Sequence, residues 1–378
     1  MRELRVGVLR HTVYLPSERF IPDQVRALER CSPIVLARDS VIDPVPGIRT
    51  RQLPLHSTPA RAAYITGVAA NRSLQSVIAD ERLELLHAHF GVEGLYSRRA
   101  AERAGIPHVV TLHGFDVSYS REALLRARTP SWARYALLRE GLLRSPSLFV
   151  CVSEHVRRLA IGLGASEERT PVITTGVDTT LLLPTPVPDE PRVVHVARLV
   201  EKKGTEYLVE AVRRARLKVP DLRLDVIGDG PLLGRLTSQV SEAGLKEAVT
   251  FHGALPHALV LELMRRAAVV AVPSVTARSG DTEGLPQAVL EAGALGRPVV
   301  GTRHAGIGEA VTDDTGVLVG ERDAGSLADA LVQVLGSHVV AADMGARGRD
   351  RIVEHFDLQR QARRLRDAYE AEVAAGAG

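Results

Sequence analysis

The chain has 378 residues, 45% of them hydrophobic and 25% charged, with 48 Lys+Arg against 45 Asp+Glu for a net charge of +3. That length suits two domains, each able to bury its own core. The apolar fraction excludes a disordered chain, two cysteines exclude a disulfide-stapled miniprotein, and the absence of a basic cluster interleaved with aromatics gives no ground for a nucleic-acid partner.

In chain order, a first strand is expected over 4–9, followed by a loop over 12–19 and a helix over 21–30. Strands follow at 34–37, 85–89, 108–112, 148–152 and 171–174, with helices over 61–81, 93–104 and 154–163. This alternation points to a doubly wound parallel sheet spanning residues 1–184. Four prolines between Pro184 and Pro191 suit a stiff linker over 185–192. Strands then recur at 193–197, 222–227, 249–252, 269–272, 299–302 and 316–319, giving a second doubly wound domain over 193–357. A terminal helix within 358–378 is expected to pack back on the first domain. Ligands of such sheets bind at the carboxyl ends of strands, so the active site is expected in a central cleft that the two domains face.

The first ten residues read as a strand, not as a signal peptide, and no apolar run approaches the roughly 20 residues that span a bilayer. The expected setting is the cytoplasm. The stretch 121–144 carries six arginines against two glutamates, mixed with leucines and Trp132, a composition compatible with peripheral contact at the inner face of the cell membrane and equally with a solvated helix pair. Cys31 and Cys151 are read as reduced structural thiols.

The densest signal is Glu283-Gly-Leu-Pro-Gln-Ala-Val-Leu-Glu291. Pro286 fits a first helical turn, so Gly284 and Leu285 are expected to present backbone N–H groups at a helix N-terminus, where a phosphate or sugar oxygen can be held. Glu291 falls on an otherwise apolar helix, where a carboxylate requires hydrogen-bond donors, and a ribose offers two. Arg198 and Lys203 follow a predicted strand in a loop closed by Gly204, the place expected of a phosphate site. Lys202, beside them, is read as a solvated surface lysine. Gly228-Asp-Gly230-Pro-Leu-Leu-Gly234 resembles a dinucleotide fingerprint, but its third glycine is one residue late and the next strand ends in Phe251-His252-Gly253 instead of an acid, which argues against a dehydrogenase.

The Glu-x7-Glu segment resembles the signature of the retaining glycosyltransferases with the GT-B fold, family four. The resemblance extends through His195-Val-Ala-Arg198 to Lys203-Gly204, Val226-Ile-Gly-Asp-Gly230, Val249-Thr-Phe-His-Gly253, Val272-Pro-Ser274 and Gly176-Val-Asp178. It implies two Rossmann-like domains, a nucleotide-diphosphate sugar bound mainly by the second and an acceptor bound mainly by the first. It further implies that Arg198 and Lys203 neutralise the diphosphate, that Glu283 contacts the transferred sugar, and that Glu291 accepts from the ribose hydroxyls. The amides of Gly284, Leu285 and Gln287 approach the sugar and phosphate, and Gly253 and Leu255 line the base pocket.

In the first domain, Val109-Val-Thr-Leu-His113-Gly-Phe-Asp116 is similar to the family's strand-end histidine segment, which implies that His113 contacts the donor sugar. Asp116 is expected either to orient His113 or to receive an acceptor hydroxyl; His87 and His89, near another strand end, are read as structural. The loop Tyr14-Leu-Pro-Ser17-Glu-Arg-Phe20-Ile resembles the exopolysaccharide (colanic-acid-like) branch of the family and makes Ser17 and Arg19 acceptor-side candidates. There is no Asp-x-Asp motif, and metal-independent catalysis without a cofactor is expected. The function implied is transfer of a hexose-type sugar from a UDP- or GDP-sugar to a glycan or lipid-linked acceptor. Glycosylation of a small secondary metabolite such as an aminoglycoside is the alternative, and a nucleotide-sugar epimerase or a non-catalytic binding protein is the alternative of another class.

Overall fold

The computed structural model describes residues 3–42, 44–53, 55, 70–127 and 129–376. The chain divides into two compact units, one comprising Met1–Gly176 with Leu358–Gly378 and the other Val177–Asp357.

Unit 1 is built on β1 (Leu4–Val13), β2 (Cys31–Val41), β3 (Thr50–Gln52), β4 (Leu85–His89), β5 (His108–Leu112) and β6 (Leu148–Cys151), ordered β3-β2-β1-β4-β5-β6. Every pairing is parallel, with Val8 opposite Val35 and His87. β4 and β5 are buried along their whole length, as expected of strands covered on both faces. β3 is absent from the sequence expectation, whereas the strand expected over 171–174 reduces to a single bridge, Val172 to Cys151. Of the helix expected over 61–81, Ala70–Asp80 is described and 61–69 lies outside the described residues.

Unit 2 repeats the plan with β7 (Arg192–Val196), β8 (Arg223–Ile227), β9 (Val249–Gly253), β10 (Val269–Val272), β11 (Val299–Thr302) and β12 (Gly316–Val319), ordered β12-β11-β10-β7-β8-β9 and again all parallel. In both sheets the strand order reverses beside the first strand, between β1 and β4 and between β7 and β10. These are the switch points at which doubly wound sheets bind ligands.

The boundary differs from the expected one. The crossing lies at 176/177, and the proline-rich segment belongs to unit 2 instead of linking two domains. The fully buried Arg297 explains this: its guanidinium donates to the carbonyl and hydroxyl of Thr185 and to Pro186 O at 2.9 Å, while His338 Nε2 donates to Val187 O at 2.8 Å. Prolines bring carbonyls but no N–H groups to satisfy, so two N–H-donating side chains suffice to seat them. The terminal helix Leu358–Gly376 packs on unit 1, where Leu365 and Tyr369 join the core of β1 and Glu372 pairs with Arg169 at 2.7 Å. No single helix among the described residues is long and apolar enough to cross a membrane. Cys31 and Cys151 are both free and buried.

Candidate functional site

The loop leaving β7 is laced to the turn after β8. Ala197 N–H donates to Ile227 O and Leu199 N–H to Asp229 O, each at 2.9 Å, and Leu232 N–H returns to Leu199 O at 3.1 Å. A Cβ at Gly228 would stand 2.0 Å from Ala197 O, so Gly228-Asp-Gly230 serves as a close backbone support for the loop carrying Arg198. Arg198 itself is exposed, and its guanidinium makes no ion pair or hydrogen bond with a described residue. The loop ends in a short 3-10 turn, Glu201–Lys203, closed by Gly204 at φ 63°. A Cβ there would lie 1.9 Å from Pro273 O; glycine lets the chain cross the end of β10.

Lys203 reaches Glu283, Nζ to Oε1 2.8 Å. Glu283 is buried, which favours its neutral form, but the ammonium charges of Lys203 and Lys202 outweigh burial and hold the carboxyl at about 2. Lys202 is not the solvated lysine expected: it binds Asp281 Oδ1 at 3.0 Å and Thr282 O at 3.1 Å, pinning the segment that leads into Glu283. The Glu283 N–H donates to His304 Nε2 at 3.1 Å, so the proton of neutral His304 sits on Nδ1, which donates to Glu321 at 2.6 Å. Glu321 in turn accepts from Thr276 N–H at 2.8 Å.

The helix after Glu283 begins at Gln287, with Pro286 as its cap instead of a first-turn residue. Gly284 and Leu285 lie before that cap, and Gly284 O accepts from Gly306 N–H at 3.1 Å. The amides that open the helix start at Gln287. Glu291 lies on this helix, buried, with Oε1 2.8 Å from His257 Nε2; Oε2 has no partner among the described residues. His257 opens the helix His257–Arg265 just after Gly253 and Leu255. Gly253 holds φ 67°, and its carbonyl oxygen accepts from Gly228 N–H at 2.8 Å. Leu255 and Leu285 are half-buried against one core cluster.

In unit 1, His113 follows β5 and is half-buried. Its ring packs between Phe90, 4.3 Å between centroids, and Phe20, 4.9 Å. Asp116 accepts from His113 N–H at 2.7 Å and from Gly91 N–H at 2.6 Å. It is fully buried, and burial raises its pKa to about 6 against the opposing pull of those two amides. Both oxygens are thus used to tie the ends of β4 and β5 together. Asp116 thereby holds the backbone of His113, and its side chain is enclosed by the protein.

Phe90 sits at φ 74°, an unfavourable conformation for an aromatic residue and a form of strain that gathers at functional sites. Ser17 is exposed in the 3-10 turn Pro16–Glu18, and Arg19 is exposed with Asp23 3.6 Å away. His195, within the β7 motif, donates from Nδ1 to Ala271 O at 2.9 Å and accepts from the Thr205 hydroxyl at 3.0 Å, bracing β7 against β10.

The structure therefore joins Lys203 to Glu283 and gives Glu291 a partner. Sequence reasoning missed His257, His304 and Glu321; His304 had a signal, since it follows the apolar strand β11 at its carboxyl end. Among the described residues no group of three or more His, Cys, Asp or Glu side chains is placed to hold a metal ion. An exposed guanidinium, a lysine and an ionised carboxylate at a switch point can bind an anion together with a hydroxyl-bearing group.

Two family models match the chain: Glycosyltransferase Family 4 over residues 17–181 and Glycosyl transferases group 1 over residues 184–351. The putative colanic acid biosynthesis glycosyltransferase WcaL of Escherichia coli K12 is 36% identical over 256 residues, 66% of this chain and 61% of that relative, so the match spans less than two thirds of the relative's length. The GDP-mannose-dependent alpha-(1-6)-phosphatidylinositol monomannoside mannosyltransferase of Mycolicibacterium smegmatis is 34% identical over 293 residues, 73% of this chain and 72% of that relative. Among solved structures, Anabaena HepE in complex with UDP-glucose is similar with a TM-score of 0.78 at 19% identity, covering 98% of this chain and 100% of that one; this is a likeness of fold.

Proposed function

The chain belongs to glycosyltransferase family four, of the GT-B fold, and we propose that it moves a hexose-type sugar from a UDP- or GDP-sugar to a hydroxyl acceptor with retention of anomeric configuration. The observation that carries this reading is the ion pair at 2.8 Å between Lys203 and the buried Glu283, with Lys203 on the loop that also exposes Arg198.

Departure of the nucleoside diphosphate breaks the bond from the anomeric carbon to the phosphate oxygen, and the electron pair leaves with the phosphate. Arg198 and Lys203 stabilise that growing charge, aided by the amides that open the helix at Gln287. Glu283, ionised at neutral pH, accepts from hydroxyls of the transferred sugar. Glu291 uses the carboxylate oxygen left free by His257 to accept from the ribose hydroxyls. His113 contacts the same sugar. The acceptor oxygen attacks the face from which phosphate departs, and its proton passes to that phosphate. The diphosphate charge has its counter-charges in the protein, so no metal is required.

The acceptor is proposed to be a growing exopolysaccharide or a lipid-linked glycan, a reading supported by the names of the two relatives. Exposed Leu125, Leu137 and Leu138, among the arginines of 121–144, are proposed to rest on the inner face of the cell membrane.

Titration calorimetry with UDP, GDP, ADP and TDP tests the reading, each in excess chelator. Saturable, chelator-insensitive binding of UDP or GDP is expected, and binding of none of the four would overturn it.

A further inference from the structure

The ends of β4 and β5 carry three histidines in sequence across the sheet. The Tyr369 hydroxyl lies 2.6 Å from His87 Nδ1, and His87 Nε2 lies 2.7 Å from the Thr111 hydroxyl. The His87 and His89 rings are 4.5 Å apart between centroids, and His89 Nδ1 is 3.0 Å from His113 Nε2. The Asp116 staple, which takes N–H groups from Gly91 and His113, fixes both strand ends so that these last two rings meet.

A contact between two imidazole nitrogens needs one donor and one acceptor. Burial holds both rings well below the ordinary imidazole value, with the Arg10 charge acting in the same direction, so both are neutral at pH 7. His89 is 1% exposed, and its Nε2 is enclosed without a hydrogen-bond partner among the described residues. A proton on that nitrogen would be an orphaned buried N–H, the rarer and worse tolerated of the two unsatisfied states. With the proton on Nδ1 instead, His89 leaves only an unused lone pair inside and donates to His113. His113 then accepts at Nε2 and carries its own proton on Nδ1, which is not enclosed and has no partner among the described residues. Packing between Phe90 and Phe20 keeps the ring from turning over.

We infer that His89 is a positioning residue which, by donating to His113 Nε2, locks His113 in the Nδ1–H tautomer and makes it a hydrogen-bond donor toward the transferred sugar. This rests on the proposal that His113 contacts that sugar. A ring locked in this way offers no lone pair to the site, so His113 does not serve as a base for the acceptor hydroxyl. It selects instead for a donor sugar that presents a hydroxyl oxygen to Nδ1–H.

The test is a two-bond proton–nitrogen NMR correlation on the full chain with 15N-histidine, using His113→Ala and His89→Phe for assignment, together with steady-state kinetics. His113 is expected in the Nδ1–H form in the unmodified protein. His89→Phe, which removes the donor, should release that tautomer and lower kcat about tenfold with donor KM little changed. His89→Asn, which restores an N–H near the Nδ1 position, should recover both. An Nε2–H tautomer of His113 in the unmodified protein, or a tautomer unchanged by His89→Phe, would overturn the inference; the first of these needs no variant to fold. If the tautomer is as stated but His113→Ala transfers sugar at full rate, the catalytic role of His113 fails and the part played by His89 in setting its tautomer stands.

Discussion

Lys203 Nζ lies 2.8 Å from Glu283 Oε1, so the cation assigned to the diphosphate and the carboxylate assigned to the sugar form an ion pair that is already assembled. Lys203 comes from the turn after β7 and Glu283 from the segment before the helix at Gln287, eighty residues further on. A bound diphosphate then shares a lysine whose position is set by Glu283, and the sugar meets a carboxylate whose charge is set by Lys203.

Removing the lysine should therefore act on pH dependence as well as on turnover. Glu283 is held at about 2 against an ordinary 4.5. A depressed carboxyl contributes stability that is complete above its unfolded value and is lost as pH falls toward the folded one, here the window from about pH 4.5 down to about 2. In Lys203→Ala burial acts with less opposition, so the acid-unfolding midpoint should move to higher pH, and kcat/KM should fall by about 10–100-fold. Circular dichroism against pH and steady-state kinetics check both. Coincident unfolding curves would show that the pair does not hold the carboxylate ionised.

The two glutamates should separate in kinetics. Glu291→Ala removes an acceptor from the helix facing His257 and should raise the dissociation constant for the bare nucleoside diphosphate by about tenfold, as expected for one lost charge-assisted hydrogen bond. Glu283→Gln should leave nucleotide binding nearly unchanged and lower kcat about 100-fold. Calorimetry with the nucleotide alone, beside turnover with the sugar donor, distinguishes the two. Equal effects of both substitutions on both quantities would contradict the division of labour.

Gly204→Ala tests the backbone that carries Lys203. The residue holds φ 63°, and a Cβ would fall 1.9 Å from Pro273 O, which is main chain and cannot swing aside. A cost of about 2–4 kcal/mol is expected, read as a drop in Tm of roughly 5–15 °C. Gly244→Ala, also at positive φ but with open space around its Cβ, serves as the control and should cost less. Equal drops would mean that backbone conformation alone, and not the contact with β10, accounts for the glycine.

Much of the fold is legible in the sequence because its strands are short apolar runs bounded by glycine, proline and polar residues; β10 and β11 fall on the expected residues. β3, Thr-Arg-Gln, is not legible because it has no apolar run and exists only through pairing with β2. The crossing at 176/177 is hidden for a similar reason: the proline-rich segment is seated by Arg297, 112 residues away from Thr185. Glu283, Glu291 and Lys203 stand out because charge on or beside apolar elements is costly without a purpose. Their partners do not, since His304 is 21 residues from Glu283 and His257 is 34 from Glu291, and only the parallel sheet brings them together. Pro286 shows the limit of local rules: it suits the first turn or the cap equally, and the structure uses it as the cap.

Proton NMR of the glycoside formed from an α-linked UDP- or GDP-sugar is the most direct test of the proposed transfer. An α-linked product, accumulating in step with free nucleoside diphosphate, is expected. A β-linked product would contradict attack on the face from which phosphate leaves, and with it the roles assigned to Arg198, Lys203 and Glu283.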